Sequence, residues 1–383
     1  MKKPFAAAQL ALTPVRIVIY GVLVLIVLLG VIFFVVYRDD INAESLASFQ
    51  KIFQPGVQKG SVAGTVAIDQ NPNNQYGLCG DQLVVLSPER LVWYDRSGNE
   101  LYSSALRMKS PVLRVAGDTV VVFDRGGNDI LIVEASSESV IMNQSMVLDA
   151  QVTAGNCFGL VSEQSGYRSV LRLYEFPQNL FFEWYSAESG YITHFAMDED
   201  AEDLVVCSLF QDGDRCVNRL TFLDTRSKEP VAQIELVDQL VLAMSMMKNS
   251  VCLVMEEEIR FYSLKGELLA THDLEEKSIA KAAFSADLFS VALIRGKNDH
   301  NADLWILDAK GELKKALTLN ESITALNVAG KYTGLLQNGT LSLYNEEGEL
   351  RDSETSLGEY QALHLRPNGS ILLLAQDHGW WIR

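Results

Sequence analysis

Cysteine and histidine are sparse in this chain, and neither falls in a pattern that chemistry uses. The five cysteines (Cys79, Cys157, Cys207, Cys216 and Cys252) are odd in number and contain no C-x-x-C, which excludes a disulfide framework and a zinc ribbon. Cys157, Cys207 and Cys252 sit in apolar runs with strand character, where a thiol behaves as a small hydrophobe. Cys207 and Cys216 flank a predicted hairpin turning at Asp212-Gly213, diagonally placed on one face. They form the one conceivable disulfide, although the packing reading is preferred. The histidines (His194, His272, His300, His364 and His378) include no H-x-H or H-x₃-H pair, so a histidine-based metal site is not expected. G-x-S-x-G, H-E-x-x-H, sialidase-type Asp boxes and a vicinal cysteine pair are all missing. The expectation is therefore no catalytic set and no cofactor. Calcium is the one ion kept as a candidate, because Asp198-Glu199-Asp200 with Glu202 and Asp203, Asp212 with Asp214, and Asp299 with Asp303 offer oxygen ligands. None of these follows the spacing of a dedicated calcium loop.

Charge is absent from Ile17 to Tyr37 (IVIYGVLVLIVLLGVIFFVVY), a run that spans roughly 30 Å as a helix and so matches a bilayer core. Arg38-Asp39-Asp40 follows directly, with no small-x-small cleavage pattern, so the span reads as a retained anchor rather than a signal peptide. Lys2, Lys3 and Arg16 precede it and aspartates follow it. The charge bias therefore places residues 1–16 in the cytoplasm and the rest outside, as a single-pass plasma-membrane protein. Residues 1–38 carry +4, and the whole chain carries −17, which leaves −21 for the remainder. A domain so acidic repels nucleic acid, which is excluded as a partner. In the juxtamembrane stretch 38–60, Leu46, Phe49, Ile52 and Phe53 fall at helical spacing before Pro55-Gly56, predicting a short stalk helix.

What is abundant beyond residue 60 is a repeat. It reads LVWYDRSGNEL at 91–101, LTFLDTRSKEP at 220–230, IRFYSLKGELL at 259–269, LWILDAKGELK at 304–314 and LSLYNEEGELR at 341–351. Each copy is an alternating strand, a tight turn whose positive-φ position glycine fills cheaply, and a return strand. Ten to fifteen residues upstream of each lies a denser apolar run, such as Leu83–Leu86, Val120–Phe123, Leu204–Cys207, Cys252–Met255, Val291–Ile294 or Ile371–Leu374. A strand apolar on both faces is buried on both faces. The unit is thus four strands. Inner strands are predicted near Tyr76, Val112, Gln151, Ile192, Leu242, Ile279, Ile323 and Ala362, a period of propeller blades. The eighth unit stops after three strands, and Val62–Ile68 is left to supply its fourth. The reading is an all-β, eight-bladed β-propeller over residues 61–383 behind an N-terminal transmembrane helix, with seven blades the alternative.

The stretch PVLRVAGDTVVVFDRGGNDILIV (111–133), followed by SGYRSVLRLYEF (165–176), EWYSAESGYITHFAMDEDAEDLVVCSL (183–209) and VNRLTFLD (217–224), resembles an uncharacterised family of membrane-anchored propeller proteins of Clostridia-type Gram-positive bacteria. FDRGGN and SGYRS are its most specific parts. The resemblance implies fold, topology and a Gram-positive source, and brings no activity. More distantly the blades are similar to quinoprotein-like or YVTN-type repeats, and the Gly-His and Trp-Asp signatures of WD40 repeats are missing.

The leading functional reading is a non-enzymatic binding or scaffold module for an envelope protein or wall polymer. An envelope lyase or hydrolase with its site at the central channel is the second reading, and a ligand sensor the third. Nothing in the sequence fixes the oligomeric state. Loops between second and third strands share a face with the inter-blade links. The longest are predicted at Ser162–Arg168, Leu209–Cys216 and Arg295–Ala302. Tyr167 and Phe210, flanked by Arg168 and Arg215, are the expected partner-binding residues there.

Overall fold

The structure is a computed structural model that describes residues 64–382, apart from 135–136, 143–144, 177, 188–189, 228, 297–300 and 356. The span at 17–37, the cytoplasmic segment before it and the stalk at 38–60 lie outside the described residues. So does part of the predicted 295–302 loop.

The described residues form eight four-stranded antiparallel sheets, each a blade of one ring. Blades 1 to 7 run in chain order over 75–105, 111–142, 147–186, 191–237, 241–273, 278–319 and 323–354. Blade 8 takes three strands from 362–382 and its outer strand, Gly64–Ala67, from the other end of the domain. Every predicted inner-strand position lies on the first strand of its blade, so the seven-blade alternative falls.

Burial follows from how blades stack. Second strands such as Thr119–Asp124, Ser250–Met255 and Ile371–Leu374 are buried at every position. Outer strands such as Glu100–Ala105 are mostly solvated. The buried apolar side chains divide into eight clusters, each shared by two neighbouring blades. The core is therefore the set of seams, which is why one repeat cannot fold alone.

Polar side chains on the inner strands stitch the seams. The Gln75 side-chain amide donates to the Pro111 carbonyl at 2.8 Å and accepts from the Leu113 N–H at 2.9 Å. Arg114 Nε donates to the Ala150 carbonyl at 3.0 Å, and Gln151 Nε2 to the Phe195 carbonyl at 2.6 Å. Asn327 Oδ1 accepts from the Leu365 N–H at 2.9 Å. Each bond joins one blade to the next.

The glycine of the repeat does more than turn the chain. Gly311 has φ of 81°, and a Cβ there would lie 2.6 Å from the Phe261 ring and 2.7 Å from Ala270 Cβ, on the preceding blade. The hairpin tip laps over its neighbour, and its equivalents Gly98, Gly266 and Gly348 do the same.

The closing seam joins chain ends. Gly64–Ala67 pairs antiparallel with His378–Ile382, Gly64 opposite Trp381 and Ala67 opposite His378. Trp381 is 1% exposed and packs with Val66, Leu83, Val85 and Leu372 across blades 8 and 1. The Arg96 guanidinium covers its ring at 5.3 Å, and Asp81 holds both Arg96 and Arg366.

Candidate functional site

In a four-stranded blade the second-to-third hairpins and the inter-blade links emerge on one face of the ring, here termed the top. Blade 4 is unusual there. Its second and third strands, Asp203–Asp212 and Arg215–Asp224, have ten residues each and pair without interruption from Asp203–Asp224 to Asp212–Arg215. The predicted Leu209–Cys216 loop is therefore a two-residue turn at Gly213 and Asp214 capping a raised β-arm. The correction has a simple cause: residues 209–212 and 215–218 pair in register, so the backbone groups satisfy one another without a loop. With four residues beyond Ser208, the arm stands about 13 Å above it at the usual strand rise.

The same register rules out the Cys207–Cys216 disulfide. Cys207 pairs with Leu220 and Cys216 with Gln211, four positions along the strand, which is about 13 Å and far beyond disulfide reach. Both thiols are free; Cys207 is buried and Cys216 exposed. The sequence reading placed the turn one residue early, and that shift brought the two falsely close.

The arm is one wall of a groove of about 770 Å³, lined by Arg168, Tyr191, Leu209, Phe210, Arg215 and Cys216 among others. The blade 3–4 link buttresses it: Gly190, at φ 90°, packs so closely that a side chain there would collide with the Leu209 carbonyl. Three of the four predicted partner-binding residues, Arg168, Phe210 and Arg215, line this groove. The fourth, Tyr167, in the 163–168 hairpin beside it, packs its ring against Tyr185 at a 46° tilt, with centroids 4.8 Å apart.

The electrostatics are local. The Arg168 guanidinium lies 5.5 Å from the centre of the Tyr191 ring, and its Nη1 reaches the Tyr191 hydroxyl at 3.5 Å. No carboxylate among the described residues pairs with Arg168. Arg215 meets Asp212 at 2.8 Å, but both are more than half exposed, so water screens the pair. Phe210 is covered by Arg219, whose guanidinium sits 4.6 Å from the ring centre and is held by Glu235 at 2.7 Å.

Sequence reasoning missed Tyr191, Arg219 and Gly190. Tyr191 opens the inner strand Tyr191–Met197, and Arg219 lies nine residues after Phe210 on the facing strand. Once the arm's register is known, Arg219 falls diagonally from Phe210. That register was the missing signal.

Elsewhere several charged and polar groups are structurally engaged. Arg114 and Arg125 both reach Asp149, at 3.1 and 3.7 Å. Asp124, of the FDRGGN segment, accepts from the Lys109 and Ser110 N–H groups at 3.1 and 2.7 Å, tying the hairpin to the preceding link. His272 Nε2 bonds the Gly311 carbonyl at 2.6 Å. Among the described residues no three His, Cys, Asp or Glu side chains converge as metal ligands. The acidic run at 198–203 is closed by its own turn, with Asp198 Oδ1 accepting from the Asp203 N–H at 3.0 Å.

Solved structures share the fold at low sequence identity. BamB from Moraxella catarrhalis matches with a TM-score of 0.54 and 13% identity, over 85% of this chain and 99% of that one. Sqt1 from Saccharomyces cerevisiae matches with a TM-score of 0.59 and 10% identity, also over 85% and 99%. Sqt1 from Chaetomium thermophilum, bound to the N-terminus of ribosomal protein L10, matches at 0.52 and 11%, over 85% and 97%. No curated protein matches in sequence. Residues 57–364 match the family of unknown function DUF5711, and the chain belongs to that family.

Proposed function

We propose that this protein is a non-enzymatic binding platform that holds another protein of the cell envelope in the top-face groove between blades 3 and 4. In this reading the contact residues are Tyr167, Arg168, Phe210 and Arg215, together with Tyr191. One observation carries the reading: the raised arm of blade 4, braced at Gly190, builds a groove with arginine and aromatic walls on an otherwise regular ring. Aromatic and arginine side chains supply most hot-spot contacts in protein interfaces. The Chaetomium ring bound to a segment of ribosomal protein L10 is a precedent for this fold holding part of another chain.

The platform's setting is part of the same proposal. The uncharged run at 17–37 anchors the protein in the plasma membrane with residues 1–16 inside and the ring outside. Crosslinking in native membranes followed by affinity isolation of the full-length protein tests the groove. The wild type recovers a discrete partner. A variant with Tyr167, Arg168, Phe210 and Arg215 all replaced by alanine, and an unchanged melting temperature, loses at least nine-tenths of it. Equal recovery would place binding elsewhere, and a carbohydrate adduct would identify a wall polymer instead.

A further inference from the structure

Exposed large apolar side chains fall into two sets on this ring. One set sits near the starts of the outer strands, Leu101 and Leu350 for example, one or two in each of blades 1, 3, 4, 5, 6 and 7 around the bottom rim. Scattered in that way they need no explanation. The other set is Tyr167, Tyr185, Tyr191, Val237, Leu240 and Leu242. These are the exposed large apolar side chains of the top face among the described residues, and all belong to blades 3, 4 and 5. Tyr191 and Leu240 occupy equivalent positions just before the first buried residue of successive inner strands, Ile192 and Val241. Leu242 is the extra residue of a bulge in the inner strand of blade 5 and is 48% exposed. Together they trace an arc from the groove toward the channel rim.

Position and charge narrow the choice of occupant. Gly64 opens the outer strand of blade 8 at the bottom, and blade 8 lies across the ring from blade 4. The arc is thus at the pole of the domain farthest from where the chain enters it. A second copy would bring together two domains of −20 each, the −21 of residues 39–383 less the −1 of residues 39–60.

Charge selects among the rest. Within that acidic domain the groove presents Arg168, without a carboxylate among the described residues, and Arg215, whose pair with Asp212 is solvent-screened; among the described residues that line it, Asp214 is the one acid. We infer, resting on the binding reading above, that the occupant is an extended segment of another protein that alternates apolar side chains with carboxylates. Its apolar groups cover Tyr191, Leu240 and Leu242, and its carboxylates meet Arg168 and Arg215. Arginine with a carboxylate in a partly desolvated groove gives register as well as attraction.

The test is selection of random twelve-residue peptides displayed on phage, with the full-length protein in nanodiscs as bait. Enriched peptides should place Asp or Glu beside Leu, Ile, Phe or Tyr. Synthetic copies should bind at least tenfold more weakly to Arg168→Glu and to Tyr191→Ala, and more weakly as salt rises. Arg168→Lys should recover part of the loss. No enrichment, enrichment of basic or uncharged peptides, or binding indifferent to Arg168→Glu would overturn the inference. Neutral peptides that still compete at the groove would leave the binding platform standing and remove only its acidic preference. Loss of the cellular partner in the four-alanine variant is scored separately.

Discussion

Replacing Trp381 by alanine tests whether the ring is held shut by a blade built from both ends of the domain. Trp381 is 1% exposed and the largest fully buried side chain of the described residues. It touches the outer strand Gly64–Ala67, its own sheet and blade 1, so its loss opens a cavity shared by three segments distant in sequence. Truncating a buried tryptophan costs about 3–5 kcal/mol. Losing the Arg96 contact adds about 0.5–1 kcal/mol. With an unfolding entropy of about 2.1 cal/mol/K per residue over the roughly 320 ring residues, a loss of about 4 kcal/mol lowers Tm by about 6 °C. Differential scanning calorimetry reads this directly. Trp305→Ala serves as a control, because Trp305 is only partly buried and packs at the seam of blades 5 and 6, away from the closing seam. A Trp381→Ala protein that melts within 1 °C of wild type, or no lower than Trp305→Ala, would refute the shared-blade closure.

Deleting Trp380–Arg383 should be more severe still, since the outer strand Gly64–Ala67 pairs only with His378–Ile382; a truncated protein with wild-type Tm would contradict this. Gly311→Ala should destabilise by about 3 kcal/mol, from positive φ plus the clash with Phe261 and Ala270, whereas Gly213→Ala, also at positive φ but in open space, should cost about 1 kcal/mol; urea unfolding that gives the two equal values removes the lapping argument. Burial lowers the His364 pKa from 6.5 to about 4. Its folded-state value therefore lies below the unfolded one, so its contribution is intact above 6.5 and is lost as pH falls toward 4, by at most on the order of 3 kcal/mol. The pH dependence of unfolding for His364→Gln should be flatter than wild type between 6.5 and 4, and superimposable curves would exclude the effect. External protease on intact, wall-stripped cells should digest the ring, and protection while the cells stay sealed would overturn the proposed topology.

Much of the architecture is legible in the chain because its strongest signals are local. Runs such as Val120–Phe123, set between turn signals, read as strands buried on both faces, and the spacing between them pointed to eight blades with seven left open. Closure followed from the eighth unit ending one strand short while a strand-like segment stood unused near residue 64. The seam chemistry is not legible in the same way. Gln75, Arg114, Gln151 and Asn327 look like ordinary polar residues on short strands, and only their placement against the next blade makes them clamps. Gly311 announces a turn, but its approach to Phe261 depends on a blade formed some fifty residues earlier. The groove was half visible. Aromatic and arginine residues at predicted hairpin tips pointed to Arg168, Phe210 and Arg215. The one-residue shift of the turn to Gly213-Asp214 then hid both the arm and the convergence of Tyr191 and Arg219 on it.

The groove's occupancy can be read through Cys216. It is the exposed cysteine of the five and lines the groove, while burial shields the others and pushes the Cys79 and Cys207 thiols up to about 12 and about 11. The decisive measurement is the rate at which membrane-permeant N-ethylmaleimide modifies Cys216, compared between native membranes and purified protein, by mass spectrometry. A platform holding a partner predicts fast modification in the purified protein, at least tenfold slower modification in native membranes, and a return to the fast rate when Arg168 and Tyr191 are both replaced by alanine. Equal rates in native membranes and in purified protein would contradict a protein partner seated in this groove.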